Sequence, residues 1–265
     1  MRRTLYRAAL AALLLPIVAI LSAGCGREEV APPAGLDPRA DELLQEMSDL
    51  LSATQRLSFG ASELRDVVSA DGEVRQLAID HTTYLERPDR LRRELSVEGD
   101  TATVVYNQGS MGVHGTRQSF YALAEVPPTL DETLDFLGQR LDMKMPIADL
   151  LYSSPYESYV DSSTTGQYLG EETVEGTSCH HLAFQHPAID FEMWLESGDR
   201  PLPCKLVLSY KLDEGAPTSV LTFREWNLSP EFGSTPFEYK PPDGYVRIPF
   251  RGRGGERVSE PAADN

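Results

Sequence analysis

Between Ala40 and Leu51, apolar residues return every third or fourth position (Ala40, Leu43, Leu44, Met47, Leu50, Leu51), while Asp41, Glu42, Gln45, Glu46 and Asp49 take the other face. That period predicts an amphipathic helix that must dock on something apolar. Asp37-Pro38 supplies its start, a capping carboxylate followed by proline at the first helical position. The rhythm changes at Leu57. Short segments divided by the turn pairs Asp71-Gly72, Gly99-Asp100, Gln108-Gly109 and Gly115-Thr116 predict strands near 57–69, 74–86, 90–98, 101–107, 110–114 and 118–126. Pro127-Pro128 halts this series. Thr129 and Glu132 then have capping-box spacing ahead of Leu130, Leu134, Leu137 and Leu141, so a second amphipathic helix is expected, with short helical turns near 147–152 and 155–159. Strands resume near 166–174, 178–186, 190–196, 204–211 and 218–228.

Strand meanders on both sides of a helical insert predict an α+β fold. Its centre is one large curved antiparallel sheet, a half-open β-barrel of about eleven strands with the helices on its concave side. The domain is expected over 37–249, and the segment 250–265, rich in Arg, Gly, Glu and Pro, reads as a flexible tail.

The start of the chain has a different character. Arg2, Arg3 and Arg7 precede an apolar run from Ala8 to Ala23, the pattern of a signal peptide over 1–24. Leu21-Ser22-Ala23-Gly24-Cys25 resembles a bacterial lipobox, which implies acylation of Cys25; Ser22 stands where that pattern more often has Leu. Residues 25–36, with Pro32-Pro33, then read as the lipidated cysteine and a tether. By the same resemblance, Gly26 in place of an aspartate favours the outer membrane, with the domain in the periplasm. Several acyl chains, each contributing about 0.8 kcal/mol per buried methylene, anchor a protein almost permanently.

Charge narrows the partners. The 24 Lys and Arg against 41 Asp and Glu give −17, and −20 without the first 24 residues. Such a body repels nucleic-acid backbone and bare anionic lipid surfaces, so no nucleic-acid partner is expected.

The helix at 40–51, the strand at 57–63 and the strand ending Tyr84-Leu85-Glu86-Arg87-Pro88-Asp89-Arg90-Leu91-Arg92 resemble the start of the periplasmic lipoprotein carriers of the LolA/LolB superfamily. Four later runs are similar to a related family of predicted periplasmic proteins, known only as a domain of unknown function. They are Pro146-Ile147-Ala148-Asp149-Leu150-Leu151-Tyr152, Cys179-His180-His181-Leu182-Ala183-Phe184, Asp199-Arg200-Pro201-Leu202-Pro203 and Trp226-Asn227-Leu228-Ser229-Pro230. The carrier resemblance implies an open barrel closed by helices around an apolar cavity. It also implies that Arg87, at the Arg-Pro strand end, hydrogen-bonds a helical lid. Leu43, Met47 and Leu50 on the first helix and Leu134, Leu137 and Leu141 on the second would form its walls. Met143, Met145 and Ile147 are the apolar residues nearest to a protruding receptor-type loop.

Chemistry-bearing groups are few. His180-His181, with Asp190 and Glu192 nearby, suggests a metal site, but adjacent strand residues point to opposite faces. A hairpin turning at Pro187-Ala188 puts His180, Leu182 and Phe184 on one face with Phe191, Met193 and Leu195, and sets His181 opposite Trp194. Structural roles for both histidines follow, and neither metal nor cofactor is expected. Asp131, Glu132 and Asp135 are explained by helix capping and a solvated face. No Gly-x-Ser-x-Gly, His-Glu-x-x-His or phosphate-cradling loop occurs. An oxidising compartment favours pairing of Cys179 with Cys204. An intervening strand would part them by about 9.6 Å, beyond the roughly 7 Å a disulfide spans, unless a bulge intervenes, so the pairing stays open.

These readings lead to a non-enzymatic envelope lipoprotein whose half-barrel binds a lipid, a lipoprotein acyl chain or another hydrophobic ligand. The alternatives are an envelope-sensing or protein-interaction module with a filled core, and an enzyme with an unrecognised site.

Overall fold

The computed structural model describes residues 35–259 apart from 70, 142, 234–235, 253–254 and 256. Helix α1 (Pro38–Ala53) starts where the Asp37 carboxylate accepts from the backbone N–H groups of Arg39 at 2.8 Å and Ala40 at 3.3 Å. A first meander follows: β1 (Arg56–Val68), β2 (Val74–Glu86), β3 (Arg90–Val97), β4 (Asp100–Asn107), β5 (Ser110–Gly115) and β6 (Phe120–Glu125). Its tight turns use left-handed backbone at Glu98-Gly99 and Gln108-Gly109, which matches the twist of the flanking strands. The helical insert comprises α2 (Leu130–Asp135), a wider π-type turn over Phe136–Arg140, α3 (Ala148–Leu151) and α4 (Pro155–Tyr159). The second meander is β7 (Thr165–Val174), β8 (Thr177–Gln185), β9 (Ile189–Glu196), β10 (Pro203–Tyr210) and β11 (Thr218–Asn227), and a two-residue strand β12 (Val246–Arg247) ends the series.

Among the described residues these twelve strands make one sheet, in the order β12-β6-β5-β4-β3-β2-β1-β11-β10-β9-β8-β7. The sheet is curved and not closed, as the sequence pattern predicts. Antiparallel pairing of β1 with β11 joins the two meanders, with Ala61 opposite Phe223 and Leu64 opposite Val220. The concave face is filled. Ala40, Leu43, Leu44, Met47 and Leu51 of α1 pack on Leu57, Phe59 and Ala61 of β1, Leu85, Leu91, Phe184, Met193, Leu206 and Leu221 as one buried cluster.

The inward row of β1 and β2 ends in charge. Glu63, His81 and Arg93 are buried. Glu63 Oε2 lies 2.7 Å from His81 Nε2, and Arg65 Nε donates to Glu63 Oε1 at 2.6 Å. Arg93 Nη2 lies 2.9 Å from His81 Nδ1. A guanidinium can only donate, so Nδ1 accepts and the imidazole proton sits on Nε2, aimed at Glu63. Burial opposes ionisation of Glu63, but the hydrogen bonds from His81 and Arg65 outweigh it and hold the carboxyl down to about 2. Burial lowers the His81 pKa, reinforced by Arg93 and opposed by Glu63.

Three features differ from expectation. The twelfth strand comes from the end of the chain, whose stretch at 250–265 reads as a flexible tail from its composition. Its described part is laid against the sheet. Phe250 and Val258 are buried with Met111, Ala122, Ala124, Leu137 and Leu141 in a second cluster, and Glu125 N–H donates to the Ser259 carbonyl at 2.7 Å. Two apolar side chains with a place to go outweigh the polar composition around them. At the other end, Leu36, expected to be the last residue of a tether, is buried and bridges to Gly166. Any Cβ on Gly166 would come within 2.5 Å of Leu36 Cδ1 and 2.6 Å of Phe184 Cδ1, so only glycine admits Leu36 there. The second helix is shorter than its leucine spacing suggests, because the chain widens into the π-type turn at Phe136.

The pairing that the sequence leaves open is made: Cys179 and Cys204 form a disulfide. β9 does lie between their strands, yet their Cα atoms are 7.0 Å apart. The β9–β10 register slips between Pro203 and Lys205, making Cys204 the extra residue of a bulge. Cys179 faces Glu196, the last residue of β9, so the bridge closes across the strand's end. Closing a loop of 25 residues' separation stabilises by about 3 kcal/mol in the chain-entropy picture. The double variant Cys179→Ser/Cys204→Ser is expected to lose about that much in urea unfolding. Reductant should lower the wild-type midpoint to the variant's and leave the variant unmoved.

Candidate functional site

A groove of about 570 Å³ lies between the helical insert and strands β9 and β10. Its walls include Leu134, Met145, Ala148, Phe191 and Leu208, and its polar lining includes Asp149, Tyr159 and Tyr210. Two apolar side chains stand at its mouth unburied: Met143 is 45% exposed and Leu212, in the β10–β11 turn, is 78% exposed.

Each wall is held from behind. Helix α4 begins at Pro155, whose fixed φ suits the first helical position. Ser48 of α1 accepts from the Tyr156 backbone N–H at 2.9 Å, and the Tyr156 hydroxyl donates to the Asp41 carboxylate. This docking places Tyr159 against Phe191, ring centroids 5.0 Å apart. Helix α3 is fixed by Arg87, whose Nη1 donates to the Leu151 carbonyl at 2.9 Å. The Arg87 backbone N–H also donates to Gln55 C=O at 2.9 Å, so one residue ties the end of β2 to the exit of α1 and to α3. On α2, Thr129 caps Glu132 reciprocally, Asp131 accepts from the Ser153 N–H at 3.0 Å, and Asp135 accepts from the Tyr152 hydroxyl at 2.9 Å.

Burial pushes the Asp149 carboxyl up to about 6, with the Ser158 hydroxyl pulling the other way. Tyr159 is 6% exposed, and its hydroxyl has no hydrogen-bond partner among the described residues. Its pKa is raised by burial and then by the fields of Asp149 and Tyr210. Tyr210 is pushed up to about 12, chiefly by burial. The groove thus combines apolar walls with polar and charged lining groups.

The leucines read as lid or wall from sequence separate here. Leu134 lines the groove, whereas Leu43 and Met47 fill the concave core and Leu50 is half-buried against it. Leu137 and Leu141 belong to the second cluster beside Phe250. Helix α1 packs its apolar face on the sheet, and five of the six side chains lie outside the groove lining. Ile147 is buried in the core, Met145 is partly buried and lines the groove, and Met143 alone of that trio is exposed. Cys25 lies outside the described residues. Asp149, Tyr159 and Tyr210 carry the polar chemistry. The sequence offers one signal for them: Asp149 is the lone charge between Met145 and Leu151.

The histidines diverge. His181 stacks on Trp194, centroids 4.0 Å apart, with Nδ1 3.2 Å from Glu172 and Nε2 2.7 Å from Glu192, while Lys205 covers the other part of the indole at 4.3 Å. His180 meets the Tyr168 hydroxyl at 3.1 Å. The two imidazoles do not converge on a common point.

A carboxyl whose folded pKa lies above its unfolded value of 3.8 stabilises the fold fully only below that unfolded value, and the contribution is lost as pH rises through about 6. Asp149→Asn is therefore expected to unfold at higher urea than the wild type at pH 8, with the gap closing toward pH 4. Chemical denaturation across that range measures it.

Comparison with known proteins gives the following. The family described as "Predicted periplasmic protein (DUF2092)" matches residues 40–251. No curated protein matches the chain. Among solved structures, the chain is similar to the lipoprotein LppX of Mycobacterium tuberculosis at 12% identity and TM-score 0.44, covering 74% of this chain and 98% of LppX. The MucA/MucB complex structure from Pseudomonas aeruginosa is similar at 16% and 0.40, covering 76% and 61%. A LolA superfamily protein of Nitrosomonas europaea is similar at 9% and 0.37, covering 76% and 97%. With four fifths of its length matched by that family, the chain belongs to the DUF2092 family of predicted periplasmic proteins.

Proposed function

We propose that the domain is a non-enzymatic binding protein of the periplasm that holds an acyl chain, lipid or similar hydrophobic ligand in the groove between the helical insert and β9–β10. The observation that carries this reading is an apolar groove of about 570 Å³ with Met143 and Leu212 exposed at its mouth. That volume lies in the range of roughly 300–1,000 Å³ typical of small-ligand sites. Each methylene taken from water contributes about 0.8 kcal/mol before ordering costs, so part of one chain suffices for binding. Arg87 acts as the anchor of the insert that forms one wall. The other pieces of the proposal come from sequence. Residues 1–24 are a signal peptide, Cys25 is acylated, and the segment before Gly35 tethers the domain to the outer membrane.

A second reading has its own support. Because α1 fills the concave face, with Leu44, Met47 and Leu51 all at 0% exposure, the domain resembles a solid module that could work through a protein partner.

Gly138 separates the two. It lines the groove, and a Cβ there meets nothing within 4 Å, so a larger side chain has room to occupy the ligand's space. Gly138→Phe is expected to weaken uptake of BODIPY-labelled dodecanol about tenfold or more while leaving stability within about 0.5 kcal/mol. Leu137→Ala, in the packed second cluster, should cost about 2–5 kcal/mol with affinity unchanged. Equal binding by Gly138→Phe would move the site elsewhere, and a wild type that takes up no probe would favour the interaction module. For the anchor, labelled palmitate is expected to enter the wild type and to be absent from Cys25→Ser; incorporation in the variant would overturn the assignment.

A further inference from the structure

An apolar groove accepts many tails, so its selectivity rests on the groups that meet the head. Four carboxylates line this groove: Asp149, Glu157, Asp161 and Asp213. Two of them are answered by lining cations, Asp213 by Lys144 and Asp161 by His186 at 3.4 Å. Asp149 and Glu157 have no ion-pair partner among the described residues. Asp149 lines the groove together with Tyr159, whose buried hydroxyl has no hydrogen-bond partner among the described residues and feels the Asp149 charge. A buried hydroxyl without a partner forfeits a hydrogen bond that a bound group could supply.

We infer that the groove selects amphiphiles with an alkyl tail and a head that donates hydrogen bonds and bears no negative charge, a protonated primary amine before a hydroxyl, held by Asp149 and Tyr159. This rests on the groove being the ligand site. An ammonium has three donors, enough to serve the Asp149 carboxylate and the Tyr159 oxygen together. A carboxylate or phosphate head would bring a second negative charge beside Asp149 in a poorly hydrated site, where like charges strongly disfavour each other. The raised affinity of Asp149 for its proton is consistent with an anionic site that lacks a cation.

The test is displacement of BODIPY-labelled dodecanol from the full domain at neutral pH by dodecylamine, dodecanol and laurate. Dodecylamine is expected to compete about tenfold or more better than laurate, with dodecanol between them. In Asp149→Asn that preference should shrink to about threefold or less. Tyr159→Phe should weaken both the amine and the alcohol. Asp199→Asn, an exposed change of the same charge in the β9–β10 turn, should keep the full preference, which separates the local carboxylate from the acidity of the whole protein. Laurate binding as well as dodecylamine, or a preference that survives in Asp149→Asn, would overturn the inference and leave the groove a ligand site. Failure of the labelled dodecanol itself to bind would remove the groove reading and this one with it.

Discussion

The pairing of β1 with β11 is the interaction on which the rest of the molecule depends. Each meander can form from its own local turns, but each alone would end in a long unpaired strand with a row of unsatisfied backbone groups. The antiparallel seam removes both edges and sets one continuous curve. Aromatic side chains lock it. Phe59 stacks on Trp226 at 4.3 Å and tilts on Phe223 at 5.7 Å, and Trp226 Nε1 donates to the Pro203 carbonyl at 2.9 Å. Only a curved sheet of this width offers α1 a concave bed built from both meanders, which is why the helix contacts residues as far apart as Leu57 and Leu221 in one cluster.

With α1 in that bed, the groove of about 570 Å³ lies to the side, between the helical insert and β9–β10. The helix then works as a platform: Asp41 and Ser48, polar positions on an otherwise apolar flank, seat Tyr156 and hence α4. Arg87 performs the same service for α3 from the opposite direction. The groove is therefore a product of three supports converging from α1, the end of β2 and strands β9–β10. Its rigidity follows from hydrogen bonds made outside it.

Charge is handled in two ways within the same sheet. Near the end of the inward row, Glu63 is hydrogen-bonded by Arg65 and His81, and His81 by Arg93, so that removing His81 would leave buried Glu63 and Arg93 each short of a partner in a low-dielectric surrounding. At the groove, Asp149 has no ion-pair partner among the described residues, and burial raises its pKa against the pull of the Ser158 hydroxyl.

Much of the secondary structure follows from local rules that operate within a few residues. Period-two alternation and glycine turns place the strands, Asp37-Pro38 and Thr129 to Glu132 place the helix starts, and the hairpin at Pro187-Ala188 fixes His181 opposite Trp194. Acidic net charge and the composition of the first 25 residues likewise belong to the sequence alone. The tertiary structure decided what depends on contacts distant along the chain. It set the seam between β1 and β11, the bulge at Cys204 that brings two cysteines across an intervening strand, and the docking of Phe250 and Val258 from a stretch whose composition suggests a tail. It also sorted the leucines. Leu134 and Leu137 have the same helical period and polarity, and only the widening of the turn at Phe136 and the neighbours that fold over each one assign the first to the groove and the second to the packed interior. A hydrophobic pattern states that a side chain leaves water; whether it meets a ligand or another side chain is settled by the shape of the surface it meets.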